Sequence, residues 1–213
     1  MNAILAVGHA IARQTWYLLV AYVGYVLLLA LLDHGQADKN DLVATNITFL
    51  IAICALLPLS GLPNEIRSRR IVFVLSKGVS RKQYFAGVAY GHLLLSALAS
   101  CAGVAAARRL TADTLAAAFV LSLLLVSAGM LGVVSLGSRF APIVPAAVFL
   151  LPRVSVRLAG RTAIVPHDLV YSSLITGSRS SAAMLLLTCL EAALLFAVAL
   201  FLFERDDIAA PVE

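Results

Sequence analysis

Charge is scarce in this chain, and its scarcity excludes most soluble folds. Asp, Glu, Lys and Arg make up 13% of the 213 residues, against 62% hydrophobic residues and a mean hydropathy of +0.97. A soluble domain of this length could not cover so much apolar side chain, whereas hydrocarbon about 30 Å thick accepts a helix of roughly 20 apolar residues. Cysteine is sparse too. Cys54, Cys101 and Cys189 all lie in apolar runs, and an odd count gives no disulfide framework. They read as small apolar core residues. No CxxC or HxxxH pair supports a metal site, and no GxxxxGK[ST] loop supports phosphate binding. A nucleophile–base pair at workable spacing is also missing, which speaks against an integral-membrane enzyme. The N-terminus has neither early positive charge nor a small-x-small cleavage site, so its apolar run is expected to stay as a span.

What the chain does contain is a series of continuous apolar runs without alternation, which select helices over barrel strands. The expected fold is a single all-α membrane domain over residues 1–213. Residues 1–14 are weakly amphipathic, with Ile4, Val7 and Ile11 on one face and Asn2, His9 and Arg13 on the other. That pattern predicts a helix lying in the membrane plane. Six spans follow, at about 15–32, 42–62, 85–107, 114–137, 140–158 and 182–203. Thr111 or Asp113 is placed to cap the fourth. The fifth is short: its apolar stretch runs only from Phe140 to Pro152, and it reaches residue 158 only if Arg153 and Arg157 snorkel to the headgroups. Within 159–181, HDLVYSSLIT reads as a half-helix begun by Pro166, with Asp168 in its first turn. At about ten residues it cannot cross, so it dips in or lies on the surface. Pairs of small residues at i,i+4 (Ser96–Ser100, Ala99–Gly103, Ala128–Gly132) allow close helix packing.

One segment carries the chain's net charge. Residues 64–84, NEIRSRRIVFVLSKGVSRKQY, hold six basic residues and the acid Glu65, a sum of +5 that equals the charge of the whole chain. Six basic residues here, against only Lys39 in the preceding loop, place this segment and both termini on the cytosolic side. Within it, Ile71, Val74 and Leu75 form an apolar face at i, i+3, i+4, flanked by the solvated Arg69, Arg70 and Lys77. Gly78 then breaks the helix, and Ser80 caps the next span. As composition alone, the segment is equally a positive-inside loop against anionic lipid.

The order of residues adds to this. Glu65-x-Arg67, then Leu75-Ser76-x-x-x-Ser80-Arg81-x-x-Tyr84-x-x-Gly87, resembles the segment after the second span of type-2 ABC-exporter permeases. Phe203-Glu204-Arg205-Asp206 is similar to that family's close to the sixth span. The likeness covers nearly the whole chain. It departs from the family pattern at Arg69, near the usual glycine, at Gly78, where proline is usual, and at Val88, where lysine is usual. The resemblance implies that 64–84 is a coupling helix docking on a separate ATPase subunit, through Glu65, Arg67, Arg69, Arg70, Val74, Leu75, Ser76, Gly78, Ser80, Arg81 and Tyr84. It implies a multi-pass cell-membrane subunit paired with a second permease chain. ATP and Mg would be held on the partner, with no cofactor in this chain and no nucleic acid. A non-transporting membrane scaffold, for which the basic segment is only a topology signal, is the alternative.

Polar groups inside the spans are few. Glu191 stands near the middle of the last span, where a charge costs about 2.5–3.5 kcal/mol on insertion scales for Asp, Lys or Arg. It should therefore face the bundle and find a partner. His92 and Asn46 are the other intramembrane candidates. A pathway so apolar points to an amphipathic or lipid-like cargo.

Overall fold

The computed structural model describes residues 3–32, 39–67, 70–106, 111–150 and 165–205, all of them helix or short connection. In chain order these are α1 (Ala3–Leu32), α2 (Lys39–Arg67), α3 (Arg70–Ser76), α4 (Arg81–Ala106) and α5 (Ala112–Phe140). Then come α6 (143–150), α7 (Pro166–Thr176) and α8 (Ala182–Arg205). Five of them, α1, α2, α4, α5 and α8, are long and apolar enough to cross a membrane. The chain is thus consistent with a multi-pass membrane protein.

Two buried clusters divide the bundle lengthwise. One joins Ile11, Leu62, Ile71, Tyr84, Phe85, Val133, Ala141 and Phe203. These belong to the start of α1, the end of α2, α3, the start of α4, the end of α5 and the end of α8. The other joins Val26, Ile47, Val104, Ala117, Val170 and Leu174, with Met184 and Leu185 packed against it. That is the opposite end of every long helix, together with α7. We call these the α3 end and the α7 end. Ions repeat the arrangement: Lys82 meets Glu204 at 3.4 Å at the α3 end, and Arg179 meets Asp113 at 2.8 Å at the α7 end.

Local chemistry sets the breaks. Ser80 and Gln83 cap α4 reciprocally: the Gln83 N–H donates to Ser80 Oγ (3.2 Å) and the Ser80 N–H to Gln83 Oε1 (3.0 Å). Thr111 and Thr114 cap α5 in the same manner, so Thr111 is the cap and Asp113 is left to Arg179. Gly78 ends α3 with φ +82°, a conformation that favours glycine. Gly137, at φ 70° and ψ 175°, interrupts α5 and turns the chain back on itself. Ala141 then lies so close to Gly132 that a side chain there would strike the Ala141 carbonyl.

One expectation is corrected. The first fourteen residues are not a separate surface helix, because α1 is unbroken from Ala3 to Leu32, about 45 Å at 1.5 Å per residue. The physical reason is α4. The face bearing Ile4, Val7 and Ile11 packs on Gly87 and Gly91, with Gly8 opposite, so backbone meets backbone. His9 and Arg13 stay exposed, as their face predicts. This Gly87-x-x-x-Gly91 crossing, a small-xxx-small pattern that the sequence analysis did not single out, is the most extensive contact between the described helices. The fifth span expected from residue 140 is described only in its first part: beyond the reversal at Gly137 the chain is helical over 143–150, while 151–164 lie outside the described residues.

Enlarging either α4 glycine should separate α1 from α4. Gly87→Val or Gly91→Val is expected to cost about 1–3 kcal/mol through overpacking, read as a lowered thermal midpoint in detergent. Gly24→Ala, where nothing lies within 4 Å, should leave it unchanged.

Candidate functional site

The polar residues inside the bundle separate into tethers and one open site. Asn46 on α2 is a tether. Its amide oxygen accepts from Tyr22 Oη at 3.0 Å, and its Nδ2 donates to the Gly103 carbonyl at 2.9 Å, binding α1, α2 and α4 together. Gly103 has no side chain because the Tyr22 hydroxyl fills that space. Asn46 is buried, with its amide oxygen and its nitrogen both engaged in these contacts. A second tether joins α4 to α5 through Ser100 Oγ and Ser122 Oγ at 2.8 Å, with the Cys54 thiol donating to Ser122 at 3.4 Å. Thr188 returns its hydroxyl to the Met184 carbonyl of its own helix.

His92 on α4 is fully buried, and neither ring nitrogen has a hydrogen-bond partner among the described residues. Its imidazole fills the space over Gly61 of α2, beside the Thr15 methyl group.

Glu191 is different. It projects from the middle of α8 toward the first turn of α7, where its Oε2 lies 2.9 Å from His167 Nδ1. The other ring nitrogen, Nε2, lies 3.0 Å from the Val148 carbonyl of α6. A carbonyl only accepts, so Nε2 must carry hydrogen. The Nδ1···Oε2 contact then holds one proton. It sits on the ring, giving an imidazolium–carboxylate pair, or on the acid facing a neutral ring. The pair sums to zero charge in both arrangements. His167 is buried, whereas the Glu191 side chain keeps 32% of its surface exposed. Both line a cavity of about 520 Å³ between α5, α6, α7 and α8, whose other walls are Leu124, Ile143, Val148 and Leu194 among further apolar residues.

Three elements build this site. Pro166 starts α7 with its fixed φ, which puts His167 in the first turn. His167, Val170, Ser173 and Leu174 bury one side of α7 against the bundle. The reversal at Gly137 brings α6 alongside α5, and Phe149 meets Tyr171 of α7 edge-on at 5.2 Å. His167 escaped the sequence reading although it precedes Asp168, which was singled out; only the fold brings it beside Glu191. Among the described residues no three His, Cys, Asp or Glu side chains gather as a metal would need.

The basic segment occupies the α3 end. Glu65 and Arg67 fall in the last turns of α2 and Arg70 opens α3, while Arg69 lies outside the described residues. Val74 and Leu75 were expected on the docking face. Instead they pack with the buried Ile71 against the bundle, because α3 must cover the ends of α2 and α4. The residues turned outward are Val72 and Phe73, 49% and 65% exposed, with Ser76, Lys77 and Gly78 beside them. Lys77 Nζ lies 5.2 Å from the centre of the Phe73 ring, and Ser76 Oγ donates to the Phe73 carbonyl at 2.6 Å. Gly78 and Ser80 shape the turn. Arg81 donates to the Glu204 carbonyl at 3.0 Å, and Tyr84 is buried against Phe203, so both fasten α4 to the end of α8.

A packing role for His92 has a measurable consequence. His92→Leu removes two unsatisfied buried nitrogens and should leave stability unchanged or raise it by about 1 kcal/mol, as a thermal melt in detergent would record. Asn46→Ala strands its partners and should lower stability by about 1–3 kcal/mol. Set beside known proteins, the chain matches no protein-family model and no curated protein, which leaves its geometry to carry the functional reading.

Proposed function

We propose that this chain is the membrane-embedded permease subunit of an ATP-driven exporter, working with a separate ATPase subunit and a second permease chain. The observation that carries the reading is α3. This seven-residue helix sits between two long apolar helices and turns Val72 and Phe73 outward at the end of the bundle where the basic residues concentrate. Exposed apolar side chains with a cation beside them, the Lys77 ammonium over the Phe73 ring, suit a surface that another protein covers. Force applied there would pass along two routes. Ile71, Val74 and Leu75 engage the ends of α2 and α4, and Arg81, Lys82 and Tyr84 engage α8. Since α8 carries Glu191, a push on α3 would reach the His167–Glu191 groove by way of α4 and then α8. Rocking of helices about a mid-bundle site is the expected motion.

The six-span topology follows in this reading, with both termini cytoplasmic. α5 ends at the α3 end and α8 begins at the α7 end, so the chain between them makes the sixth crossing. It would do so with two short helices, α6 and α7, in place of one long one. Irregular backbone at membrane depth is tolerated where protein covers it or it lines a cavity. On the scaffold alternative, α3 would have no load to transmit and its outward residues could be changed freely.

The test is capture of an ATPase subunit by the tagged chain from detergent-solubilised membranes of its host. Val72→Asp with Phe73→Asp is expected to lower capture at least about tenfold, on the scale of an interface hot spot, with insertion and melting temperature preserved. Val74→Asp or Leu75→Asp should instead destabilise the bundle. If the outward pair can be changed with no loss of capture or of transport, α3 is not the docking element.

A further inference from the structure

We infer that the groove closed by His167 and Glu191 binds a single-chain amphiphile with a neutral, hydroxyl-bearing head, of the long-chain alcohol or monoacylglycerol kind. The head donates to Glu191, and the chain lies along α6 and α8. Each part of this description comes from the site. At about 520 Å³ the cavity falls in the range of small-molecule sites, roughly 300–1,000 Å³. Leu124, Ile143, Val148 and Leu194 give it apolar walls. Ile143 and Leu194 are 55% and 67% exposed, so the groove opens sideways on the flank of α8, one of the helices long and apolar enough to cross the membrane. A ligand therefore arrives already dissolved in hydrocarbon.

The head follows from the pair. Oε2 of Glu191 is the oxygen that meets His167, which leaves Oε1 as an acceptor on a side chain one-third exposed. The pair carries no net charge whichever partner holds its proton. A cationic head would leave one uncompensated charge among apolar walls, a desolvation cost that one contact does not offset. A carboxylate head would oppose Oε1 directly. A hydroxyl donates to Oε1 and keeps the charge balanced.

As the cargo site of the proposed permease, this groove rests on that reading for its role, but its occupancy is measured on the chain alone, without nucleotide. Loss of ATPase capture and loss of ligand are thus separate outcomes. The experiment is photolabelling of the intact chain in lipid nanodiscs with a monoacylglycerol that carries a diazirine on its alkyl chain, the labelled residues being mapped by mass spectrometry.

Label is expected on the groove residues of α6 and α8, and an unlabelled long-chain alcohol should compete better than the amine or carboxylate of equal length. Ile143→Trp fills the groove from an exposed position and should reduce labelling at least fivefold. Glu191→Leu removes the acceptor and should reduce it about fivefold, the effect of one hydrogen bond. Glu191→Gln should retain it, because its amide donates to Nδ1 and leaves its oxygen to accept. Three results would overturn the inference: label spread evenly along the exposed faces of α8, as for annular lipid; a preference for the amine; or Glu191→Gln losing as much as Glu191→Leu.

Discussion

In hydrocarbon a polar group cannot turn to water, so most of those the bundle keeps are answered from within the chain, the ring nitrogens of His92 being the exception among the described residues. That constraint organises this molecule. The Asn46 amide answers both the Tyr22 hydroxyl and the Gly103 carbonyl, and in doing so fixes three helices at one level. Ser100 and Ser122 do the same between α4 and α5. Thr15 and Thr188 return their hydroxyls to carbonyls four residues back. None of these leaves a function over for chemistry. Against them the His167–Glu191 pair stands out, because it is partnered and yet still open to a cavity.

Close backbone approach is the other half of the architecture. With little hydrophobic force between helices in lipid, contact comes from small residues that let surfaces meet. Gly8, Gly87 and Gly91 bring α1 and α4 together, Gly61 makes room for the His92 ring, and Gly132 admits the returning chain at Ala141. These contacts hold α1, α2, α4 and α5 as a compact group. α8 packs mainly along α5, and at the α3 end it is also held by aromatic packing of Phe196 and Phe203 on Phe85 and by the polar contacts at Glu204. Much of its surface, including Leu186, Leu190, Leu194 and Phe201, faces outward.

The amphipathic character of α3 illustrates how a correct pattern can be assigned the wrong direction. Ile71, Val74 and Leu75 do share a face, as their spacing requires. Spacing tells which residues lie together and not what they lie against. The ends of α2 and α4 take that face, so the outward surface is the residual one, Val72 and Phe73. The same holds for α1, whose apolar N-terminal face is covered by glycines of α4 rather than by a membrane surface.

By itself the sequence determined the helical class, an apolar run for each of the five long helices, the cap at Ser80, a cap at Thr111 or Asp113, the break at Gly78 and the short helix begun at Pro166. These are local matters: periodicity, side-chain hydrogen bonds to the nearest backbone, and the φ that glycine or proline permits. It also marked Glu191, because an acid in an apolar run has no cheap place to go. Only the tertiary structure decided that Glu191 meets His167, 24 residues away, under a carbonyl of α6. It likewise decided that Asn46 is a tether and that the His92 ring is buried over Gly61. Those outcomes depend on which helices touch and at what level, and that is set by long-range packing, which no residue's neighbours in sequence encode.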